Sequence, residues 1–279
     1  MPIGTGNPSV DAATDFQRAR RRRVLSRLTA RLRGEPGDID VILPFEEVVD
    51  ALGYLGQRHL GLRRVRLDSI VGTVDRTRDF DRAFRPTSGR VRKRWERINT
   101  AQRRGEAMPP VSLYKIGELH FVRDGHHRVS VARALGHPDI EADVTEVFTR
   151  VGASRPLRLG DLPLKSHERL FRERVPLPDE AYEKIQLKDP WAYGDLAESV
   201  EAWGFRLMQS RGEFLDRPTV ARIWFEKEYE PVVAMLREAG LVGKQTETEA
   251  YMRVAAARYR ILRTHEWSEE IVERLREEL

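Results

Sequence analysis

The chain has 279 residues, of which 40% are hydrophobic and 33% are charged, so it can form one large domain or two ordinary ones with a hydrophobic core. It contains no cysteine, which excludes disulfides, thiolate metal sites and cysteine nucleophiles. It has no apolar run long enough to span a membrane, and its first residues lack the pattern of a signal peptide. We therefore expect a cytoplasmic protein without a membrane partner.

The net charge of +5 is distributed unevenly along the chain. Residues 1–110 carry 23 Lys and Arg against 14 Asp and Glu, a net charge of +9, whereas residues 151–279 carry 21 against 24, a net charge of −3. A basic half of this kind indicates contact with nucleic acid, an anionic surface or an acidic partner.

The first 61 residues are predicted to form a basic helical arm. Residues 1–13 are small, polar and rich in Pro and Gly, which predicts disorder. A helix capped by Thr14 or Asp15 is expected to run to about Arg33, and a second helix is expected to start near Pro44. The first helix carries a run of four arginines, which either binds nucleic-acid phosphates or forms a solvated helix face: Arg20, Arg21, Arg22 and Arg23.

A strand followed by a turn is predicted over residues 62–72, then a loop with a short helix over 75–90, and a helix over 92–104. The loop is rich in aspartate and arginine. Asp79 and Asp81 either line a functional site, or Asp79 caps the short helix while nearby arginines balance the charge. Candidates for additional phosphate contacts in this loop are Arg76, Arg78 and Arg85.

The best-defined pattern covers residues 111–144. Two short apolar runs flank Gly117-Glu118, which predicts a hairpin. The second strand ends at Asp124-Gly125, a helix is expected over 126–135 with Gly136 as its stop, and alternating apolar residues predict a last strand over 140–144.

The junction Asp124-Gly125-His126-His127-Arg128 has the chemistry of a phosphate site. A helix that begins directly after a strand presents unpaired N–H groups and a partial positive charge to an anion. Gly125 allows close approach of the anion to the backbone, Arg128 can donate two hydrogen bonds to a phosphate, and both histidines are further donors. Asp124 can hold Mg²⁺ or accept a proton from a hydroxyl group.

The run LHFVRDGHHRVSVARALGHPDIEADV, residues 119–144, resembles the second motif of the ParB/sulfiredoxin superfamily, in which a strand delivers a Gly/His/Arg turn into a helix and the turn binds nucleotide phosphates. The segment 66–70 looks like the opening strand of that family, and 110–114 looks like its proline-then-strand entry. The resemblance covers roughly 90 of the 279 residues. It implies a nucleotide-binding domain over residues 62–150.

Several activities occur on this fold. Sulfiredoxin chemistry needs a cysteine in the turn and is excluded here. ParB-type proteins bind CTP and use a helix-turn-helix domain for DNA. Free serine kinases carry a turn much like Asp124–Arg128, and by that resemblance Asp124 is the catalytic base or metal holder; their upstream Glu has no equivalent here, where the early loop offers Asp75, Asp79 and Asp81. Some relatives are called nucleases, which this sequence neither supports nor rejects.

The C-terminal residues 151–279 are predicted to be all-helical, with helices over 178–186, 194–211, 218–239, 247–264 and 268–278. Residues 224–231, with the sequence WFEKEYEP, resemble part of a helical module found after such domains in bacterial proteins. The tryptophans of this half, Trp191 included, are expected to be core residues. The predicted fold is thus α+β: a helical arm, a small mixed-sheet ParB/sulfiredoxin-like domain and a helical domain.

Two functional hypotheses remain open from the sequence. The first is an ATP- or ADP-dependent phosphotransferase acting on a small hydroxyl substrate, with Mg²⁺ at Asp124 and the nucleotide phosphates at Gly125, His126, His127 and Arg128. The second is a nucleotide-gated DNA-binding or regulatory protein of the ParB type that binds CTP.

Overall fold

The computed structural model describes residues 5–154 and 156–278 and divides the chain into two compact units, Met1–Pro163 and Leu164–Leu279. A mixed six-stranded sheet and many helices confirm the predicted α+β class. In the described part of the chain, no helix combines the length and the apolarity that crossing a bilayer requires.

The first unit contains the sheet and the helices that cover it. In chain order its elements are α1 (Pro8–Leu32), β1 (Leu43–Pro44), α2 (Phe45–Leu52), β2 (Tyr54–Arg66), β3 (Ile70–Thr73), α3 (Arg92–Arg103), β4 (Val111–Ile116), β5 (Leu119–Asp124), α4 (His126–Leu135) and β6 (Asp139–Thr149).

The strand order in the sheet is β1-β3-β5-β4-β6-β2. Strands β1, β3 and β5 run parallel to one another, β4 is antiparallel to β5 and parallel to β6, and β2 is antiparallel to β6. All four residues of β3 are buried, as expected for a central strand covered on both faces. Most of the elements around β5 were predicted from local signals, including the hairpin turn at Gly117-Glu118, α3, α4 and its stop at Gly136.

Helices α1, α3 and α4 are joined by buried polar contacts as well as by apolar packing. Asp15 on α1 is almost fully buried and accepts hydrogen bonds from Asn99 Nδ2 at 3.3 Å and Arg103 Nη2 at 2.5 Å on α3. One turn earlier on α3, Trp95 Nε1 donates to Ser130 Oγ of α4 at 2.8 Å. These bonds satisfy polar groups that water cannot reach, so they fix how the three helices meet.

The start of α1 differs from the prediction. The helix begins at Pro8, inside the stretch expected to be disordered, and Asn7 is its cap because Asn7 Oδ1 accepts from the Ser9 N–H at 3.1 Å. Asp11 accepts hydrogen bonds from the backbone and side chain of Thr5, which holds the preceding residues against the first turn. Residues 1–4 of the expected disordered segment lie outside the described residues.

Strand β2 also differs from the prediction, which placed the start of a strand at residue 62. The helix α2 ends at Leu52, because Gly53 has a φ of 77°, and the chain then pairs with β6 from Tyr54 onward. The expected domain boundary after residue 61 therefore falls inside a strand. The short helix expected over 75–90 is absent: residues 74–91, all of them described, form turns and an isolated bridge between Phe80 and Pro86.

The second unit is helical. In chain order its elements are α5 (Leu162–Arg174, which begins at the unit boundary), α6 (Asp179–Lys184), α7 (Ala192–Arg211), α8 (Arg217–Trp224), a π-helical turn (Phe225–Tyr229), α9 (Glu230–Glu238), α10 (Glu247–Leu262) and α11 (Glu269–Glu278). The five predicted helices are present, with α8, the π turn and α9 forming one continuous segment, whereas α5 was not predicted. The hydrophobic core of the second unit includes Trp224, Tyr229 and Tyr251, and the ring of Tyr229 contacts the other two rings. Trp191 is 73% exposed, so its assignment to the core was wrong.

Candidate functional site

The site lies at the edge of the sheet where two adjacent parallel strands end. Strands β3 and β5 are neighbours, with Thr73 opposite Val122, so the residues that follow both strands meet at one edge. The carboxyl ends of parallel strands are where α/β folds usually place ligands. Here that edge brings the segment 73–76 beside the turn from Asp124 into α4.

Gly125 makes the turn between β5 and α4. Its φ of 97° lies in the left-handed region, and a Cβ atom there would lie 2.5 Å from Val111 Cγ1. The conformation and the packing both require glycine, so the fold alone explains this residue. The absence of a side chain also leaves the N-terminus of α4 without a side-chain cap from its N-cap residue, and its first N–H groups remain available to an anion.

His126 is buried at this edge and is held by the strands on either side. Its Nε2 lies 2.7 Å from Thr73 Oγ1, and its ring also donates to the Val122 carbonyl. With Nδ1 as the donor to Val122, Nε2 accepts a hydrogen bond from the Thr73 hydroxyl. Burial lowers the pKa of His126 although Asp75, with Oδ1 3.5 Å from Nε2, opposes this effect. The ring is neutral at pH 7.

His127 is also neutral, since burial lowers its pKa to about 4, with Arg94 the next contributor. Its ring packs edge-on against Phe80, with centroids 5.4 Å apart. Its Nδ1 is buried and has no hydrogen-bond partner among the described residues. In the protein without a bound anion, the positive charge at this edge therefore comes from arginines, and both histidines are hydrogen-bonding groups.

Arg128 is engaged by the protein itself. Its Nη2 donates to Asp124 Oδ2 at 2.5 Å, and its Nη1 donates to the carbonyl oxygens of Pro109 and of Pro110, the latter at 2.9 Å. These bonds tie the start of α4 to the segment before β4 and leave Arg128 less free to grip a phosphate than the sequence suggested. The Asp124 side chain is 69% exposed, so its carboxylate is accessible to a substrate.

The turn opens into a cleft of about 100 Å³. Four arginines and two aspartates line it together with the two histidines and Gly125: Arg76, Arg94, Arg123, Arg128, Asp75 and Asp124. The cleft therefore carries an excess of positive charge at a helix N-terminus, where charge and dipole favour an anion together. The sequence interpretation missed Arg94 and Arg123; the basic run over 90–97 was the available signal for Arg94.

The other residues predicted for the early loop lie outside this cleft. Asp79 pairs with Arg76 at 3.3 Å, and the carbonyl of Arg78 accepts from Thr87 Oγ1 at 2.5 Å. Asp81 is 5% exposed and accepts from the N–H and Nε of Arg85 at 2.9 and 2.8 Å. It therefore stabilises the loop and does not face the site.

The four arginines 20–23 lie on α1 and do not line the cleft. Arg20, Arg21 and Arg22 are exposed, whereas Arg23 lies against the loop, with Nε 3.8 Å from Asp81 Oδ2. In the described part of the chain, no three His, Asp or Glu side chains are grouped to hold a metal ion. Mg²⁺ bound with nucleotide phosphates needs only one or two protein carboxylates, and Asp124 fits that requirement.

A comparison with known protein families, curated proteins and solved structures finds no match to this chain. The likeness of residues 119–144 to the ParB/sulfiredoxin superfamily therefore rests on the sequence motif, and the chemistry of the cleft has to be argued from its own residues.

Proposed function

We propose that the first unit binds the phosphate groups of a nucleotide at the start of α4. The observation that carries this proposal is the convergence of Arg76, Arg94 and Arg123 on a helix N-terminus that its N-cap residue does not cap. Backbone N–H groups at helix N-termini and arginine guanidinium groups commonly donate hydrogen bonds to phosphate oxygens in proteins. Because burial favours the neutral form of both histidines, the arginines are the groups that would neutralise the charge of the phosphates.

The size of the cleft limits what enters it. Small-molecule sites usually enclose about 300–1,000 Å³, whereas this cleft encloses about 100 Å³. It fits phosphate groups and leaves the sugar and base of ATP, ADP or CTP on the surrounding surface. The choice among these nucleotides then depends on residues around the cleft and not on the turn itself.

The best candidate for the reaction is transfer of a phosphoryl group from ATP or ADP to a small hydroxyl substrate. Asp124 lies at the mouth of the cleft with its carboxylate mostly exposed, where it can accept the hydroxyl proton or hold Mg²⁺. A bound Mg²⁺ would neutralise phosphate charge. The ion pair with Arg128 keeps the carboxylate oriented toward the start of α4.

The binding test measures the thermal stability of the protein with Mg²⁺ and ATP, ADP or CTP. A nucleotide at about 100 times its Kd stabilises the folded state by about 2.7 kcal/mol. We expect Arg94→Ala to lose this stabilisation and Arg78→Ala, an exposed arginine outside the cleft, to keep it. Arg128→Ala is less informative, because it also removes the bonds to Pro109 and Pro110. The absence of stabilisation by every nucleotide would refute the proposal.

The catalytic test compares wild type with Asp124→Asn. Loss of a general base lowers turnover by about 10²–10⁴, so we expect Asp124→Asn to abolish formation of a phosphorylated product from a panel of small hydroxyl compounds while the nucleotide still binds. Equal product formation by both proteins would remove Asp124 from the reaction. Nucleotide binding without any product would leave a binding module and not a phosphotransferase.

One observation favours the second candidate, a DNA-binding protein controlled by the nucleotide. Helix α3 carries exposed Lys93 and Arg97 on either side of Arg94, so a basic surface adjoins the cleft. This candidate predicts that the affinity for DNA falls steeply with salt, because the slope of log K against log salt concentration is roughly −0.9 for each phosphate contacted. It also predicts that the affinity for DNA changes when CTP is added. No binding to duplex DNA at low salt would contradict it.

A further inference from the structure

The second half of α1 presents an apolar face to solvent. Val24, Leu25, Leu28 and Leu32 are 56%, 61%, 51% and 87% exposed. We call these four residues the outer stripe. Large apolar residues exposed singly are common, but a contiguous group of them on one element indicates an interaction surface.

The geometry of the helix separates this stripe from the packed face. At about 100° per residue, the four residues fall within a sector of about 100°. The face that packs on the unit contains Ala12, Phe16 and Ala19, all buried, and it is centred on the opposite side of the helix. Helix α1 is therefore apolar on two faces, and its own unit uses only one of them.

Arginines flank the outer stripe on both sides. On the same helical wheel, Arg20, Arg27 and Arg31 lie along one flank, Arg22 lies on the other flank about one turn before Leu25, and Arg21 lies in line with the stripe just before its first residue. The segment from Phe16 to Gly34 contains no aspartate or glutamate. Any occupant of the stripe therefore contacts apolar side chains in the middle and positive charge on both edges.

These charges discriminate among the possible occupants. A second copy of the same face would bring rows of arginine opposite one another, which is unfavourable. A nucleic-acid backbone would satisfy the arginines but offers nothing apolar to the leucines. An anionic bilayer would accept leucines beside arginines, but the outer stripe has none of the aromatic residues that anchor a helix at the membrane interface.

The spacing of the leucines matches that of a helical partner. Leu25, Leu28 and Leu32 repeat at intervals of three and four residues, the spacing of a and d positions in a helical seam, and flanking charges select partners of opposite sign. Acidic helix α11 of this chain does not fit the role, because its apolar residues Val272 and Leu275 are buried in the second unit.

We propose that the outer stripe of α1 is a docking surface for an amphipathic helix of another protein, with an apolar seam bordered by acidic residues. This surface is distinct from the cleft at α4 and does not depend on nucleotide binding there.

The test uses a synthetic helical peptide with leucine at its a and d positions and glutamate at its e and g positions, labelled for fluorescence anisotropy. Full-length protein is expected to bind it, and the variant Leu25→Gln, Leu28→Gln, Leu32→Gln is expected to bind at least about tenfold more weakly. The control Leu55→Thr, Leu62→Thr changes two leucines of β2 that are 57% and 58% exposed, and it should bind like wild type. Circular dichroism checks that each variant is folded.

The charge requirement is tested separately. Arg27→Gln, Arg31→Gln should weaken binding several-fold and flatten its salt dependence, and a peptide with lysine at e and g should not bind. No binding of the glutamate peptide, equal binding of the lysine peptide, or equal loss in the β2 control would overturn the proposal.

Two further measurements identify rival occupants. Sedimentation velocity that shows a wild-type dimer and a monomeric triple-leucine variant would assign the stripe to a second copy and overturn the proposal. Binding to vesicles containing phosphatidylserine that the triple-leucine variant loses would assign it to a membrane surface, with the same consequence. A monomeric protein that does not bind these vesicles and binds the glutamate peptide supports the acidic helix.

Discussion

The N-termini of α4 and α10 differ in how their first N–H groups are capped. Helix α10 starts with a capping box: Thr246 Oγ1 accepts from the Glu249 N–H at 3.1 Å, and Glu249 Oε2 accepts from the Thr246 N–H at 2.9 Å. Helix α4 starts at Gly125, which offers no side chain. The first terminus satisfies its N–H groups from within the chain, whereas the second receives no side-chain acceptor from its N-cap residue.

The surroundings matter more than the missing cap. Helices α2 and α3 also begin without a side-chain cap, so an open terminus alone does not identify a site. What distinguishes α4 is a cleft at its first turn that is lined by arginines of β5, of α3 and of the segment after β3, while the first turn of α10 carries Glu247 and Glu249. A terminus that serves the fold supplies its own negative charge, and one that serves a ligand is surrounded by positive charge.

The largest expected effect comes from Gly125→Ala. The new Cβ would meet Val111 in a left-handed backbone conformation, which costs about 3 kcal/mol in strain and overpacking. The matched control is Gly136→Ala at the other end of the same helix, where φ is 80° and no atom lies within 4 Å of the added Cβ; it should cost about 1 kcal/mol. Urea denaturation measures both. Equal losses would show that packing at the α4 start is looser than described.

Two buried threonines give the next comparison. Thr73 bonds to His126 behind the start of α4, and Thr248 bonds to Tyr229 at 2.7 Å in the first turn of α10; both are fully buried. Replacing either by valine leaves one group without its partner, the His126 ring in the first case and the Gln186 N–H in the second, and should cost about 1–3 kcal/mol. Only Thr73→Val should also weaken nucleotide binding, as measured by calorimetry. Unchanged binding in Thr73→Val would separate His126 from the site.

The smallest expected effect is the pH dependence of stability. The pKa of His127 is about 4 in the folded protein and about 6.5 in the unfolded chain, so the unfolded chain binds the proton first as pH falls. Stability should therefore decrease as pH falls from 6.5 to 4, by no more than about 1 kcal/mol because the ring is partly exposed to solvent. His127→Gln should remove most of this slope in urea midpoints measured at successive pH values. An unchanged slope would assign it to other groups.

The α10 terminus should respond to acid in a different window. Burial raises the pKa of Glu249, but hydrogen bonds from the Thr246 and Lys188 N–H groups lower the pKa by more than burial raises it. The pKa of Glu249 therefore lies below 4.5. A carboxyl with a lowered pKa stabilises the fold above its unfolded pKa and loses that contribution as pH falls below about 4.5.

The sequence predicted the part of the fold that depends on neighbouring residues. The hairpin at Gly117-Glu118, the Asp124-Gly125 junction and the stop at Gly136 are local turn signals, and they located β4, β5 and α4. The interpretation failed where a distant strand decides, because Tyr54 and the residues after it form a strand only through the backbone partners that β6 offers. It also overlooked a local signal, since Asn7 caps α1 and Pro8 occupies its first turn.

The candidate site shows the same division. Its turn was recognisable, but three charged members of the cleft come from elsewhere in the chain: Asp75 and Arg76 follow β3, and Arg94 lies on α3. No local pattern links them to the turn; they meet only because β3 and β5 are neighbours in the sheet and α3 packs beside α4. The sequence likewise led us to expect an Arg128 guanidinium free to bind phosphate, but it donates hydrogen bonds to the carbonyl oxygens of Pro109 and Pro110.

Strand β2 lies at the end of the strand order and pairs with β6 alone in the described sheet. A strand of 13 residues at such a position exposes unpaired backbone N–H and C=O groups. Another polypeptide can pair with these groups, which starts aggregation. Its register is interrupted near Gly56 and Gly61, and its remaining length carries Arg58, Arg63, Arg64 and Arg66. Irregular backbone and repeated positive charge both discourage stacking of copies edge to edge, so we expect these residues to limit aggregation through this edge.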